Sequence, residues 1–281
     1  MKIDLHSHTT ASDGQLTPTE LMLRADTMQV DMIAITDHDT VSGIEEAEQA
    51  IVDHRLKVSL ISGIELSTQW KSFGIHIVGL NLNVNEPTFL RGVAAQKAVR
   101  QNRANKIAEK LARTGFSDIL PQAQALAGKG EITRAHFARA LVTHHGLGTM
   151  DNAFKRFMGK GKVGDVKGEW LSIAEAVKLI HAAGGQAVLA HPLKYEMSTK
   201  WLRRLIAHFA EVNGDAVEVA GPGVSGQSQQ LIHEIVASEK LKGSVGSDFH
   251  NPGRWTELGR FQQILPSVTP LWHDWPCVSV A

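Results

Sequence analysis

The chain has a single cysteine, a single tyrosine and no long apolar run, and each scarcity excludes something. One thiol, Cys277, rules out a disulfide framework and every paired-cysteine zinc or redox motif. No stretch approaches the ~20 apolar residues that cross a bilayer. The opening Met1-Lys2-Ile3-Asp4 lacks the apolar core of a secretory signal. These features predict a cytoplasmic protein with no membrane partner, and no obligate protein partner is expected. Disorder is excluded too: 43% of the 281 residues are hydrophobic and 21% charged, an ordinary balance for a folded domain. What is abundant is histidine, with fourteen residues. Histidine is the commonest protein metal ligand, so any metal must be held by imidazoles and carboxylates.

Net charge is absent as well, with 29 Lys and Arg against 29 Asp and Glu. The cancellation conceals a segregation. From Lys97 to Lys167 there are 14 basic and 5 acidic residues, leaving 15 and 24 in the remainder. A solvated helix face is one reading of the basic segment. The other is a basic arm that attracts phosphates, set within an acidic frame that holds cations.

Strands are predicted at 2–6, 31–36, 58–64, 73–80, 186–190, 216–219 and 243–247. Thr17-Pro18-Thr19-Glu20 reads as a capping box with proline at the first helical position. Ser42-Gly43-Ile44-Glu45 reads as a second capping box. From Glu86 to about Lys160 the pattern is helical throughout, followed by the Gly/Lys-rich link 159–164. Alternating strands and helices imply a largely parallel sheet. The expected fold is α/β, a distorted (β/α)7-type barrel formed by 1–96 and 166–281. An all-helical insertion is expected at 97–165.

In barrels of this kind functional groups gather at the C-terminal ends of strands. His6 and His8 follow the first strand, two residues apart and facing one way. Such a pair alone arises by chance in a histidine-rich chain. Thr36-Asp37-His38-Asp39 follows the second strand, and Glu65 is expected to end the third. His191 follows the strand QAVLA, and Asp248 and His250 follow GSVGS. Asp13 lies in a Ser-Asp-Gly turn, which ordinary turn chemistry also explains. His76 sits inside FGIHIVGL, where a lone histidine is commonly a satisfied core residue. Jointly the nine exceed the needs of one tetrahedral zinc. They suffice for two or three ions, and their nitrogen and oxygen donors suit Zn, Mn or Fe. His54, His181, His208 and His233 read as helical surface or packing residues, while His144, His145 and His273 show no pattern.

The strings DLHSHTTASDG, AITDHD, GIE, HIVGLN, AHP and GSDFH together resemble the PHP (polymerase and histidinol phosphatase) family. ITRAHFARALV and HFAEVNGDAVEVA resemble the bacterial subgroup containing the 5′-to-3′ exoribonuclease RNase AM and 3′,5′-nucleoside bisphosphate phosphatases. The resemblance implies three divalent ions, manganese first, with zinc, iron or magnesium as alternatives. His6, His8, Glu65 and Asp248 would hold one, Glu65, His76 and His191 a second, and Asp13, His38 and His250 a third. It also implies substrate contacts by Arg134, His136, Lys162 and Lys194. Lys194 lies in HPLKY, where relatives often carry arginine, and charge is kept while the bidentate fork is lost.

The implied activity is hydrolysis of a nucleotide or short 5′-phosphorylated RNA by attack of a metal-bridging hydroxide. One form is a 5′-to-3′ exoribonuclease that matures rRNA 5′ ends. The other is a 3′-phosphatase that converts adenosine 3′,5′-bisphosphate to AMP. Glu65, His191 and Asp248 would flank the nucleophile, with Asp37 or His136 as candidate general acids. The alternatives are a phosphatase for another small monoester such as histidinol phosphate, an amidohydrolase, and a non-catalytic metal-holding module.

Overall fold

The computed structural model describes residues 1–253, 256–261 and 263–275, and Cys277 lies outside the described residues. In chain order the elements are β1 (Ile3–Asp4), α1 (Pro18–Thr27), β2 (Met32–Ile35), α2 (Ile44–His54), β3 (Ser59–Trp70) and β4 (Phe73–Leu80). Then come α3 (Pro87–Ala112), α4 (Ile119–Ala127), α5 (Arg134–His145), α6 (Met150–Ala153), β5 (Leu171–Ser172) and α7 (Ile173–Ala182). The chain continues through β6 (Gln186–Leu189), α8 (Thr199–Glu211), β7 (Ala216–Ala220), α9 (Gly226–Ser238) and β8 (Lys242–Val245).

The sheet runs β1-β2-β3-β4-β6-β7-β8, with the two-residue β5 paired to β3 off this path. It curls back on itself. The Leu5 N–H donates to the Val245 carbonyl at 3.0 Å, and a parallel bridge joins Ser7 to Phe249. Period-2 alternation then decides what lies inside. Met32 and Ala34, Val78 and Leu80, Val188 and Ala190, and Ala216 and Ala220 form one buried cluster with Ile3, Leu5, Ile61 and Val245. Glu65 shares the parity of Ile61, His76 that of Val78, and Glu218 that of Ala216 and Ala220. The strands that build the core therefore aim these polar side chains into the barrel.

Two expectations change. The sheet is not uniformly parallel, because β4 runs antiparallel to both β3 and β6. Only Lys71 and Ser72 separate β3 from β4, too short a link for a parallel crossover. Glu65 also does not end a strand, since β3 continues five residues further, to Trp70. The capping box at Thr17 forms with Glu20, but the one at Ser42 does not. Helix α2 is capped by Gly43 without a side-chain bond. Its Glu46 instead accepts from the N–H and hydroxyl of Thr19, at 3.1 and 2.8 Å.

Helix α3 carries the chain out of the barrel. Its Phe89 and Val93 pack in the barrel's outer cluster, while Ala104, Ile107 and Leu111 pack with α4 and α5 in a separate one. Residue 97, the expected boundary, falls inside this continuous helix. No described helix is long and apolar enough to cross a membrane.

Candidate metal centre

The nine singled-out histidines and acids converge at one end of the barrel. Their donor atoms form four overlapping sets: His8, Asp13, His38 and His250; His6, His8 and Asp248; His6, Glu65 and His191; His38, Glu65 and His76. Within each set the donors lie within 4.8 Å of one another. The imidazoles of His8, His6, His191, His76 and His38 form a closed circuit, with successive centroids 5.1, 5.6, 5.3, 5.1 and 4.6 Å apart, and His250 stacks on His8 at 4.2 Å.

Glu65 is the hub. Its Oε1 lies 2.8 Å from His76 Nδ1, 3.0 Å from His191 Nε2 and 3.4 Å from His6 Nε2. Its Oε2 lies 2.8 Å from His38 Nδ1 and 3.3 Å from His8 Nε2. Asp248 Oδ1 reaches His8 Nε2 at 3.3 Å, and His250 Nε2 stands 3.4 Å from Asp13 Oδ1. The backbone is turned to allow this. Asp39, His191 and Asp248 have φ of +53°, +30° and +52°, a region non-glycine residues seldom adopt. Gly246 leaves room for His6, whose Cβ would stand 2.3 Å from a side chain there.

Burial opposes ionisation of Glu65, Asp13 and Asp248, yet neighbouring imidazoles outweigh it and hold all three well below the usual carboxylate range. Burial, with His250 beside it, pushes His8 down to about 3. Burial also opposes protonation of His250, but Asp13 overrides it and raises the pKa to about 9. For His6, burial is overridden by Glu218, Glu65 and Asp248, which hold it well above the ordinary value. Protons on these imidazoles stand where carboxylates call for positive charge. Asp13 Oδ1 and His191 Nδ1 are buried without a hydrogen-bond partner among the described residues, and His38 Nδ1 and Glu65 Oε2, though 2.8 Å apart, are not aligned for a hydrogen bond. Unpartnered buried polar atoms are rare because they cost free energy. The donor set of nitrogens and oxygens without sulfur therefore fits hard or borderline divalent cations.

Several residues take places that spacing did not reveal. Glu218 was not singled out. Its Oε1 accepts from His6 Nδ1 at 2.6 Å, and its Oε2 accepts the His191 N–H at 2.6 Å. A carboxylate inside the apolar strand AVEVA was the available signal. Glu218→Gln is expected to weaken metal affinity by ~10–100-fold, the usual cost of losing such an outer partner, as read by metal titration. The sole tyrosine, Tyr195, accepts the His76 N–H at 2.9 Å.

Asp37 does not offer the open carboxyl expected of a general acid. Its Oδ1 accepts from the Thr9 N–H at 2.8 Å and the Ser12 hydroxyl at 2.6 Å, and its Oδ2 accepts from the Thr9 hydroxyl at 2.6 Å. It fastens the loop that carries Asp13. Asp37→Ala leaves those donors buried and unpaired, and should cost about 1–3 kcal/mol in a denaturant titration.

The insertion supplies cations. Arg134 is the first residue of α5, and its guanidinium has no hydrogen bond or ion pair among the described residues. Burial lowers its pKa, against Asp165 and Asp13. His136 accepts the Thr133 N–H on Nδ1 at 3.0 Å, closing the helix cap, and burial lowers it to about 4. Arg103, not singled out earlier, donates to the Val166 carbonyl at 2.7 Å. Burial, with Arg134 and Arg100 nearby, lowers it to about 9. Arg100 donates to Asp39 Oδ2 and to Ser67 Oγ. Arg100 and Arg103 both lie over Trp170, 5.4 and 5.6 Å from its ring centroid. Lys194 Nζ is 2.5 Å from Asp248 Oδ2, and Lys162 is exposed in the link.

The profile of the PHP domain matches residues 4–211. The chain belongs to the PHP family. It is 46% identical over 272 residues to a 5′-3′ exoribonuclease of Haemophilus influenzae, covering 97% of this chain and 98% of that one. It is 35% identical over 274 residues to a 3′,5′-nucleoside bisphosphate phosphatase of Chromobacterium violaceum, covering 97% and 95%. A solved C. violaceum structure described as an amidohydrolase, with sulfate bound and no metal, superimposes with a TM-score of 0.89 at 34% identity, covering 97% and 95%. A Bifidobacterium adolescentis structure described as a metal-dependent phosphoesterase gives 0.80 at 26%, covering 94% and 93%. This PHP-family chain thus matches these four relatives across nearly their whole length.

Proposed function

We propose that this chain is a divalent-metal-dependent phosphoesterase that acts on a nucleotide or RNA bearing a 5′-terminal phosphate. The reacting bond is either the 3′-phosphate of a nucleoside 3′,5′-bisphosphate or the first phosphodiester of an RNA 5′ end. The observation that carries this reading is the meeting of nine imidazole and carboxylate donors beside a guanidinium cluster with an unpaired member. The two relatives named above act on these two substrate classes.

Three ions, manganese first, would be held by His6, His8, Glu65 and Asp248, by Glu65, His76 and His191, and by Asp13, His38 and His250. Divalent cations there supply water of lowered pKa and positive charge for phosphoryl oxygens. The chain's own residues do the rest. Glu65 keeps the imidazoles at fixed spacing, and Glu218 orients His6. Arg134 and Arg103, in the insertion 97–165, take the remote phosphate, so that binding away from the reacting bond contributes to rate. His136 is neutral at pH 7, and with Nδ1 engaged its proton sits on Nε2. It is placed to donate a hydrogen bond to a phosphate oxygen, not to release a proton. A monoester such as histidinol phosphate has no second phosphate for the guanidinium cluster.

The test is a substrate panel on purified, manganese-loaded protein. Adenosine 3′,5′-bisphosphate or 5′-monophosphorylated RNA should be turned over far faster than histidinol phosphate. EDTA and Asp248→Ala should each abolish turnover. Preference for histidinol phosphate would overturn the reading.

A further inference from the structure

A cavity of about 190 Å³ opens beside His191 and Asp248. Its apolar wall includes Pro192, Leu193, Pro222 and Val224, and its polar wall includes Lys194 and Ser228. We propose that this cavity is the subsite for the base of the nucleotide that follows the scissile phosphate, so that it sets the chain's preference for RNA over a nucleoside bisphosphate. The proposal rests on the reading above and names the substrate part that distinguishes its two forms.

Three observations carry it. The first is position. The insertion packs against the loop that carries Asp13: the Glu131 N–H donates to the Ala11 carbonyl at 2.8 Å, and Arg134 feels the charge of Asp13. The guanidinium cluster is therefore near the donor set of His8, Asp13, His38 and His250, while the cavity is lined by His191 and Asp248 and by none of those four. A 5′-phosphorylated chain that places its terminal phosphate on the arginines and its first internucleotide phosphate on the metal ligands must lead its second nucleoside towards the cavity. A bisphosphate ends at the metals and leaves the cavity free.

The second is charge. Glu218 and Asp248 stand in the cavity wall, each already engaged, by His6 and the His191 N–H in one case and by Lys194 in the other. Two carboxylates repel a phosphate, so the part that enters is uncharged. Lys194, at the mouth, can meet the phosphodiester that precedes it. The third is size and surface. Pockets that enclose a whole drug-sized ligand span ~300–1,000 Å³. The smaller cavity here takes one flat ring system, held by apolar contact with proline, leucine and valine side chains that read no particular base.

Val224 is half-buried in a loop and Ser228 is exposed in the first turn of α9, so bulk can be added at either without entering the barrel core. The test compares Val224→Trp and Ser228→Tyr with the parent protein on a 5′-phosphorylated dinucleotide and on adenosine 3′,5′-bisphosphate. The ratio of kcat/KM, dinucleotide over bisphosphate, should fall roughly tenfold or more in both variants, the scale of losing the burial of one apolar ring. A binding arm uses 5′-phosphorylated dinucleotides carrying 2-aminopurine first or second. The parent should alter the emission of both probes, and the variants only that of the first. An unchanged ratio overturns the proposal, as does a parent that cleaves the bisphosphate but not the dinucleotide. If the parent cleaves neither, the proposed function fails, and the second-position probe still judges the cavity. Its emission change, present in the parent and lost in the variants, upholds the subsite, and no change in the parent overturns it.

Discussion

Glu65→Gln should lower kcat/KM by more than ~100-fold and empty the centre of metal, while the protein stays folded. The magnitude follows from comparison. Losing a group that merely orients a ligand costs ~10–100-fold in metal affinity or activity, and Glu65 sits among the donors themselves. It approaches five imidazoles, those of His6, His8, His38, His76 and His191, within 3.4 Å. Glutamine keeps the shape, removes the charge, and turns an N–H2 towards nitrogens that had faced a carboxylate. Metal content by elemental analysis, circular dichroism and turnover together decide the matter. A variant that keeps its metal stoichiometry and its rate would refute the hub role.

Arg134→Ala should be selective where Glu65→Gln is general. Its half-buried guanidinium feels the charges of Arg100 and Asp13 and has no hydrogen-bonded partner among the described residues. The loss expected on adenosine 3′,5′-bisphosphate is ~10²–10³-fold in kcat/KM, the usual effect of deleting one preorganised donor to developing or fixed negative charge. A simple aryl phosphate has no remote phosphate and should change only a few-fold. Equal losses on both substrates would assign Arg134 to the reacting phosphoryl group instead.

The donors at strand exits were legible because a β/α barrel converts position along the chain into position around a rim. His6, His8, His38, His191, Asp248 and His250 needed only strand ends for their location. Glu65 and His76 came to the same place by another route. They sit inside β3 and β4, and strand parity, not strand termination, aims them inward. Glu218 follows the same parity and was passed over, because its partner His6 lies 212 residues away and no local spacing reveals the pair. Asp37 looked like a functional acid for a related reason. A carboxylate after an apolar strand reads alike whether it faces substrate or ties down a loop, and only the hydroxyls of Thr9 and Ser12 distinguish the two. The capping box at Ser42 failed because the helix starts one residue later, with Gly43 as its cap, which takes Ser42 and Glu45 out of the paired positions.

Helix α3 has one further consequence. It leaves the barrel, passes Arg100 against Asp39, and enters the insertion without a break. Asp39 follows His38 directly, and its Oδ1 also accepts the Ser67 N–H at 2.8 Å. The insertion is therefore no detachable cap. The Arg100–Asp39 pair fastens it to the barrel at the residue that follows His38. Grafting a relative's insertion onto this barrel would carry over the donor's substrate preference only if the graft begins beyond that pair, on the far side of Ala104.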